Sequence, residues 1–349
     1  MNPTRQCGKT DLLLPPIGVG CFAFGGGAYW GEQSQQDVDA VVSRALELNL
    51  NLFDTAEVYN DGASEVSLGK ALAGRRDGAI IVSKVQPACA YRHTLRGRCE
   101  ASLRRLNTDR IDIYMLHWPL NPQSLRHYTD DPALLRNPPT ITETLEAMDE
   151  LQREGKIRHI AVSNFGLSQM REALAVGVPI AINEVAYSLL MRAAEAEVLP
   201  YCVQQGVGVF GYMPLCQGLL SGKFRTLDEL PPMRARLRHF SGTRPGSRHG
   251  EPGVESELMQ TIEALRVEAA AHNLELSDLA LAWAMNQPGI TSVLVGARNL
   301  EQIENNARAM RIEIDAKLGE RLNAITAPLA RLLGNSIDYW SPANDSRSF

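Results

Sequence analysis

Short apolar runs recur eight times along this chain, and between them the apolar residues change from continuous to helical spacing. The runs are Ile17 to Phe22, Asn51 to Phe53, Ala79 to Val82, Ile111 to Leu116, Ile157 to Val162, Ile180 to Val185, Val207 to Tyr212 and Thr291 to Val295. Runs this short and this apolar suit strands buried on both faces, as in a parallel sheet. Helical spacing fills the gaps. Val38, Val41, Val42, Ala45 and Leu46 precede the second run, Leu145, Met148 and Leu151 the fifth, and Leu258, Ile262, Leu265 and Val267 the eighth. Eight such units without a break in composition predict one α/β domain, a (β/α)8 TIM barrel over residues 1–326. A tail, 327–349, is expected to fold over it. A doubly wound sheet is the rival, but it has fewer strands and divides into halves, and no division is visible here. Stretches 118–141 and 217–253 exceed the usual connections and read as lids on the strand-end face.

Three of these runs are followed within two residues by a charged or ionisable group: Asp54, Lys84 and His117. They lie one strand-plus-helix unit apart, and a tyrosine, Tyr59, follows the first of them. Strand exits are where a (β/α)8 barrel collects its catalytic residues. Asp54 beside Lys84 makes a buried ion pair, which is better evidence for a role than for stability. An ammonium near a phenol should lower the Tyr59 pKa toward physiological pH. Tyr59 could then protonate an oxygen gaining negative charge, and a neutral His117 could orient that oxygen by a hydrogen bond. This set suits reduction of a carbonyl. No side chain donates hydride, so a nicotinamide cofactor is implied. Singly, each residue has a plainer reading: a helix cap, a turn tyrosine, a snorkelling lysine, a satisfied core histidine. Their joint order and placement favour the chemical one.

A net charge of -5 argues against nucleic-acid and anionic-membrane partners. Arg92, Arg96, Arg98, Arg104 and Arg105 alternate with leucines at helical spacing and read as a solvated helix face. Cysteines at 7, 21, 89, 99, 202 and 216 have no metal-ligand spacing, so no metal and no disulfide framework is expected. Met1 to Arg5 lack the apolar core of a signal peptide. No apolar run has the length needed to cross a bilayer. The expected location is the cytoplasm; oligomeric state is left open.

Phe53-Asp54-Thr55-Ala56-Glu57-Val58-Tyr59 with Gly62-Ala63-Ser64-Glu65, Ile111 to His117, and Gly155-Lys156-Ile157-Arg158 with Val162-Ser163-Asn164-Phe165 together resemble the strand signatures of the aldo-keto reductase superfamily. The resemblance spans roughly residues 6 to 310. It implies an NADPH-dependent barrel oxidoreductase that interconverts a small-molecule aldehyde or ketone and its alcohol, with Asp54, Tyr59, Lys84 and His117 as the catalytic four. It also implies the NADPH/NADP+ contacts. Ser163 and Asn164 resemble the pair that holds the carboxamide, with Glu184 where the family usually has glutamine. Tyr212 resembles the aromatic stacked on the nicotinamide, and Met213 stands where serine is common. Pro214, Leu215, Gln217, Gly218 and Lys223 fall where the family wraps the pyrophosphate. Gly296, Arg298, Gln302, Asn305 and Asn306 resemble the adenosine 2′-phosphate and adenine site. Phosphate sites after the last barrel strands at a helix N-terminus support that last placement on physical grounds. NADPH is therefore expected over NADH.

Gly18-Val19-Gly20-Cys21-Phe22-Ala23 fits the dinucleotide fingerprint of a Rossmann fold, but that motif must open a helix, and Phe24-Gly25-Gly26-Gly27 follows. The segment reads instead as a loop bringing Gly20, Cys21 and Phe22 near the cofactor, with Asp54 also within reach. Trp30, Trp118, the two long loops and Tyr339-Trp340 are the candidates for substrate contact. The competing functional reading is a non-catalytic nicotinamide-binding subunit resembling channel-associated members of the family.

Overall fold

The structure is a computed structural model that describes residues 4–349; Met1 to Pro3 of the expected leaderless start lie outside the described residues. Eight parallel strands close into a barrel. They are β1 (Ile17–Gly20), β2 (Leu52–Asp54), β3 (Ile80–Val85), β4 (Ile111–Leu116), β5 (Ile157–Ser163), β6 (Ile182–Ala186), β7 (Gly208–Tyr212) and β8 (Ser292–Gly296). β8 pairs with β1, Val293 opposite Ile17, which closes the ring. The predicted TIM barrel is present. The first strand is shorter than its apolar run, leaving Cys21 and Phe22 in the following loop, and β3 runs on to include Lys84.

Period-two alternation explains what each strand presents. Leu52, Val82, Ile113, Met115, Ala161, Ile182, Phe210 and Leu294 point inward and form one apolar cluster with Cys7 and Leu14. Those last two belong to a short antiparallel hairpin, Arg5–Gln6 against Leu13–Leu14, packed into the barrel's apolar interior. Two residues further along the strands the same inner face carries Asp54, Lys84, His117, Ser163, Glu184 and Tyr212. A polar layer therefore lies directly above an apolar one.

Helices surround the barrel and bury their inner stripes against its outer face. Gln35–Glu47 begins with Ser34 accepting from the Asp37 amide, Ile141–Arg153 with Thr140 accepting from Glu143, and Ala316–Leu333 with Asp315 accepting from Leu318. Each cap satisfies an amide the helix leaves unpaired. Glu255–Ala271 buries Leu258, Ile262 and Leu265, but Val267 is 62% exposed, off the stripe it was assigned to. The arginine cluster on Arg92–Leu106 is only partly a solvated face. Arg92 and Arg96 pair with exposed glutamates, whereas Arg98 and Arg105 reach inward to the buried Glu57 and Glu65.

Segment 118–141 is not wholly irregular, since it contains the short helices Pro122–Leu125 and Pro132–Arg136. Segment 217–253 holds only short 3-10 segments, Cys216–Ser221, Leu227–Glu229 and Pro232–Arg234. The boundary drawn at 326 falls inside the continuous helix Ala316–Leu333. Residues 334–349 then return to the strand-exit face. There Asn121 donates to the Arg347 carbonyl at 2.7 Å and the Ser168 amide to the Phe349 carbonyl at 3.1 Å. Gly166 is required at that contact, because a Cβ would come within 2.5 Å of the Phe349 backbone. Among the described residues no helix is long and apolar enough to cross a membrane.

Candidate active site

Lys84 is the hub. It is fully buried, its ammonium bonds the Asp54 carboxylate, and it donates to the Thr55 carbonyl at 3.1 Å and the Tyr59 hydroxyl at 3.4 Å. Glu184 Oε1 lies 3.5 Å from the same nitrogen. The pairing register places these groups together: Asp54 stands opposite Val82, two residues before Lys84, across β2 and β3.

Tyr59 is not on a strand, and its position depends on the turn after it. Asn60 and Asp61 both take left-handed backbone angles, with φ of 51° and 54°, which short polar side chains tolerate better than most. The Asn60 amide donates to the carbonyls of Phe22 and Phe24 at 2.9 and 3.0 Å, tying this turn to the loop after β1. Phe22 then packs on the Tyr59 ring, centroids 4.8 Å apart. His117 stands edge-on to Tyr59, ring centroids 5.6 Å apart.

The electrostatics differ from expectation at one point. Burial raises the Tyr59 hydroxyl well above its ordinary value; Lys84 pulls it down by less, and the Asp54 and Glu184 charges push it further up. The expected lowering toward physiological pH therefore does not occur, because desolvation outweighs one ammonium already shared among carboxylates. Burial, with Lys84 and Arg347 nearby, drops His117 well below its usual pKa, so its imidazole is neutral at pH 7. Burial also raises Asp54 despite Lys84. Glu184 is pushed up to about 8 by burial first and then by the Asp54 charge, with Lys84 opposing.

The other expected site residues fall into three groups. Ser163, Asn164 and Tyr212 join Asp54, Tyr59, Lys84 and His117 in one cleft. Ser163 Oγ donates to the Glu184 carbonyl at 3.1 Å, and the Asn164 amide to Ser163 Oγ at 2.9 Å and to the His117 carbonyl at 3.2 Å. The Tyr212 hydroxyl donates to Asn164 Oδ1 at 2.6 Å. Gly20 ends β1 opposite Gly296 and Asp54, and Cys21 is buried with its amide on the Asp54 carbonyl at 2.8 Å.

The second group is the loop after β7. Met213, Cys216 and Gln217 have positive φ, unusual for residues with a Cβ, and Gly218 follows at 100°. Strain of this kind collects where a loop must hold a particular shape for function. Pro214 and Leu215 complete the turn, whose Gly218 amide reaches the Leu215 carbonyl at 3.0 Å. Lys223 is exposed beyond it.

The third group follows β8. Asn299, which sequence reasoning overlooked, caps helix Leu300–Ala309 by accepting from the Gln302 amide at 3.0 Å. Gln302 accepts from the Arg298 amide at 2.9 Å, Asn306 donates to the Gly296 carbonyl at 3.3 Å, and Asn305 accepts from Arg308 at 2.8 Å. The Arg298 guanidinium is not free: it donates to Gln33 Oε1 at 2.8 Å, to the Trp30 carbonyl at 2.7 Å and to the Glu32 carbonyl. The loop after β1 is thereby strapped across to β8. Tyr29 adds a bond to Gln217 at 2.8 Å, and the Arg234 guanidinium lies 4.3 Å from the Trp30 ring.

Over the His117 side, Trp118 is 7% exposed with the Arg347 guanidinium 3.6 Å above its ring. Arg347 is held on both carboxylate oxygens of the fully buried Asp338. The two tail aromatics part company. Trp340 stacks beside Tyr212 at 6.2 Å and meets Trp118 at 5.9 Å, while Tyr339 stacks on His239 and accepts from the Ala193 amide at 3.1 Å. Only the first reaches the cleft. Arg347 and Asp338 carried no signal in the sequence, since an arginine and an aspartate in a polar tail resemble any solvated pair.

A closed parallel barrel with an acid, an ammonium, a phenol and an imidazole at its strand exits defines a (β/α)8 enzyme site. The sequence profile of the Aldo/keto reductase family matches residues 16–327. The chain is 33% identical over 328 residues to the NADH-specific methylglyoxal reductase of Escherichia coli, covering 88% of this chain and 93% of that one. It is also 33% identical to Methylglyoxal reductase YeaE of the same organism, over 91% and 93% of the two chains. A crystal structure of an aldo/keto reductase from Klebsiella pneumoniae in complex with NADP and acetate superposes with a TM-score of 0.69 at 28% identity, covering 100% of this chain and 99% of that one. The chain belongs to the aldo/keto reductase family, and it is an oxidoreductase acting between carbonyl and alcohol.

Proposed function

We propose that this protein uses NADPH to reduce a small reactive aldehyde or ketone, with Tyr59 as the general acid. The contact of Lys84 with both Asp54 and the Tyr59 hydroxyl carries the reading. The residues present fit the cofactor. Glu184 Oε2 is buried without a hydrogen-bond partner beside Ser163 and Asn164, which suits a carboxamide. The strained loop after β7 and the capped helix Leu300–Ala309 suit the phosphates. When bound, the cofactor supplies hydride to the carbonyl carbon.

The chain's own residues do the rest. His117, neutral and wedged beside Tyr59, directs a hydrogen bond at the carbonyl oxygen. Tyr59 gives that oxygen its proton, and the Lys84 ammonium offsets the phenolate left behind. A hydroxyl pKa held high keeps Tyr59 in its donor form throughout the physiological range, which favours reduction over alcohol oxidation. Asp54 holds Lys84 in place. Phe22, Trp30, Trp118 and Trp340 make an aromatic cleft mouth that suits a compact carbonyl compound. The names of the two Escherichia coli relatives support α-oxoaldehydes as the first substrates to try.

Stopped-flow oxidation of bound NADPH against an aldehyde panel that includes methylglyoxal tests the reading. Single-turnover oxidation by at least one aldehyde is expected. Tight cofactor binding with no oxidation by any of them would favour the non-catalytic, channel-subunit type of role.

A further inference from the structure

Glu184 is a carboxyl group for which proton transfer from Tyr59 has no evident need. It lies near the end of β6, 3% exposed, on the inner face of the barrel. Lys84 is shared by two carboxyl groups, Asp54 in direct contact and Glu184 Oε1 at 3.5 Å, and the same ammonium is 3.4 Å from the Tyr59 hydroxyl. Glu184 Oε2 has no partner. With both carboxyls ionised this water-poor cluster carries one excess negative charge; with one proton retained it is neutral. Two like charges over one cation, both desolvated, favour keeping the proton. The other titratable groups facing Glu184 are Tyr59 from the loop after β2 and Tyr212 from β7, both phenols that stay neutral.

We propose that Glu184 and Asp54 hold one proton between them at neutral pH, and that this proton, acting through Lys84, governs how readily Tyr59 gives up its own. The proposal rests on Tyr59 being the acid. As the Tyr59 O–H bond breaks, its proton goes to the carbonyl oxygen and its electron pair stays on the phenolic oxygen. Beside a neutral Glu184, the Lys84–Asp54 pair sums to zero and the ammonium can offset the new phenolate. Beside an ionised Glu184, the phenolate forms next to a net negative cluster and becomes more costly. Glu184 is thus a positioning residue. The glutamine that usually occupies this place in the family is neutral at every pH and cannot impose such a limit.

The direction of titration agrees, since burial and the Asp54 charge hold the Glu184 carboxyl at about 8. Single-turnover reduction by the wild-type protein should fall about tenfold per pH unit above that inflection. In Glu184→Gln the inflection should vanish, whatever the absolute rate. A second measurement needs no turnover. Infrared difference spectra of the cofactor-free protein should contain a protonated-carboxyl band at pH 6 that disappears across the same range and is missing in Glu184→Gln. An inflection at the same pH in the variant, or a wild-type spectrum without that band, would overturn the proposal. No reduction of any aldehyde at any pH, with the band present, would instead count against the role of Tyr59.

Discussion

The floor of the cleft and its rim are built on different principles. On the floor, Asp54, Lys84, His117, Ser163 and Glu184 project from adjacent strands, and the backbone ladder sets their separations. At the rim, the contacts join segments far apart in the chain: Arg298 with Trp30 and Gln33, Tyr29 with Gln217, Arg347 with Trp118 and Asn121. The floor is set by the strand ladder and, on the proposed function, carries the chemistry, while the rim is assembled from loops that can differ without disturbing the barrel. Reaction type should thus follow the floor, and choice of substrate and cofactor the rim.

The largest expected effect is at Tyr59, which its turn holds against Lys84 of the floor. Tyr59→Phe should lower turnover by roughly a thousandfold, the scale of general acid catalysis, while NADPH binding, followed by fluorescence, stays largely intact. Undiminished turnover would erase the distinction between floor and rim.

At the rim, Arg347→Ala leaves the Asp338 carboxylate buried without its partner. It should cost on the order of 3 kcal/mol in denaturant unfolding and raise KM more than it lowers kcat. Loss of kcat alone would mean that the tail serves the chemistry itself.

Stability should also depend on pH through Glu184. Its folded-state pKa of about 8 lies above the ordinary carboxylate value, so folding takes up a proton between the two. The stability it allows is complete below the unfolded value and is lost as pH rises through 8. The melting temperature of Glu184→Gln should therefore gain on that of the wild type from pH 5 to pH 8; a constant difference would mean that Glu184 does not titrate there.

A smaller effect is expected from Arg298→Ala, about tenfold weaker NADPH binding with NADH nearly unchanged, or roughly 1.4 kcal/mol. The loss is modest because a phosphate must first displace the Trp30, Glu32 and Gln33 oxygens. Equal losses for both cofactors would confine Arg298 to the strap. Arg92→Ala, an exposed pair remote from both regions, should change stability by less than about 0.5 kcal/mol.

Much of this was open to reading in the chain itself. Apolar runs two-sided enough for a parallel sheet declared the barrel, and a polar residue ending such a run declared its own place at the strand exit. Local pattern carries that information because alternation along a strand is a property of the backbone. Tertiary structure alone decided the rest. Whether Lys84 or burial governs Tyr59 depends on how many carboxylates share the ammonium, and Glu184 joins that count from a strand about a hundred residues further on in the sequence. The partners of Arg298 and the seat of Arg347 on Trp118 likewise depend on loops meeting across the barrel mouth. Such encounters arise from packing and desolvation among distant segments, and no local pattern encodes them.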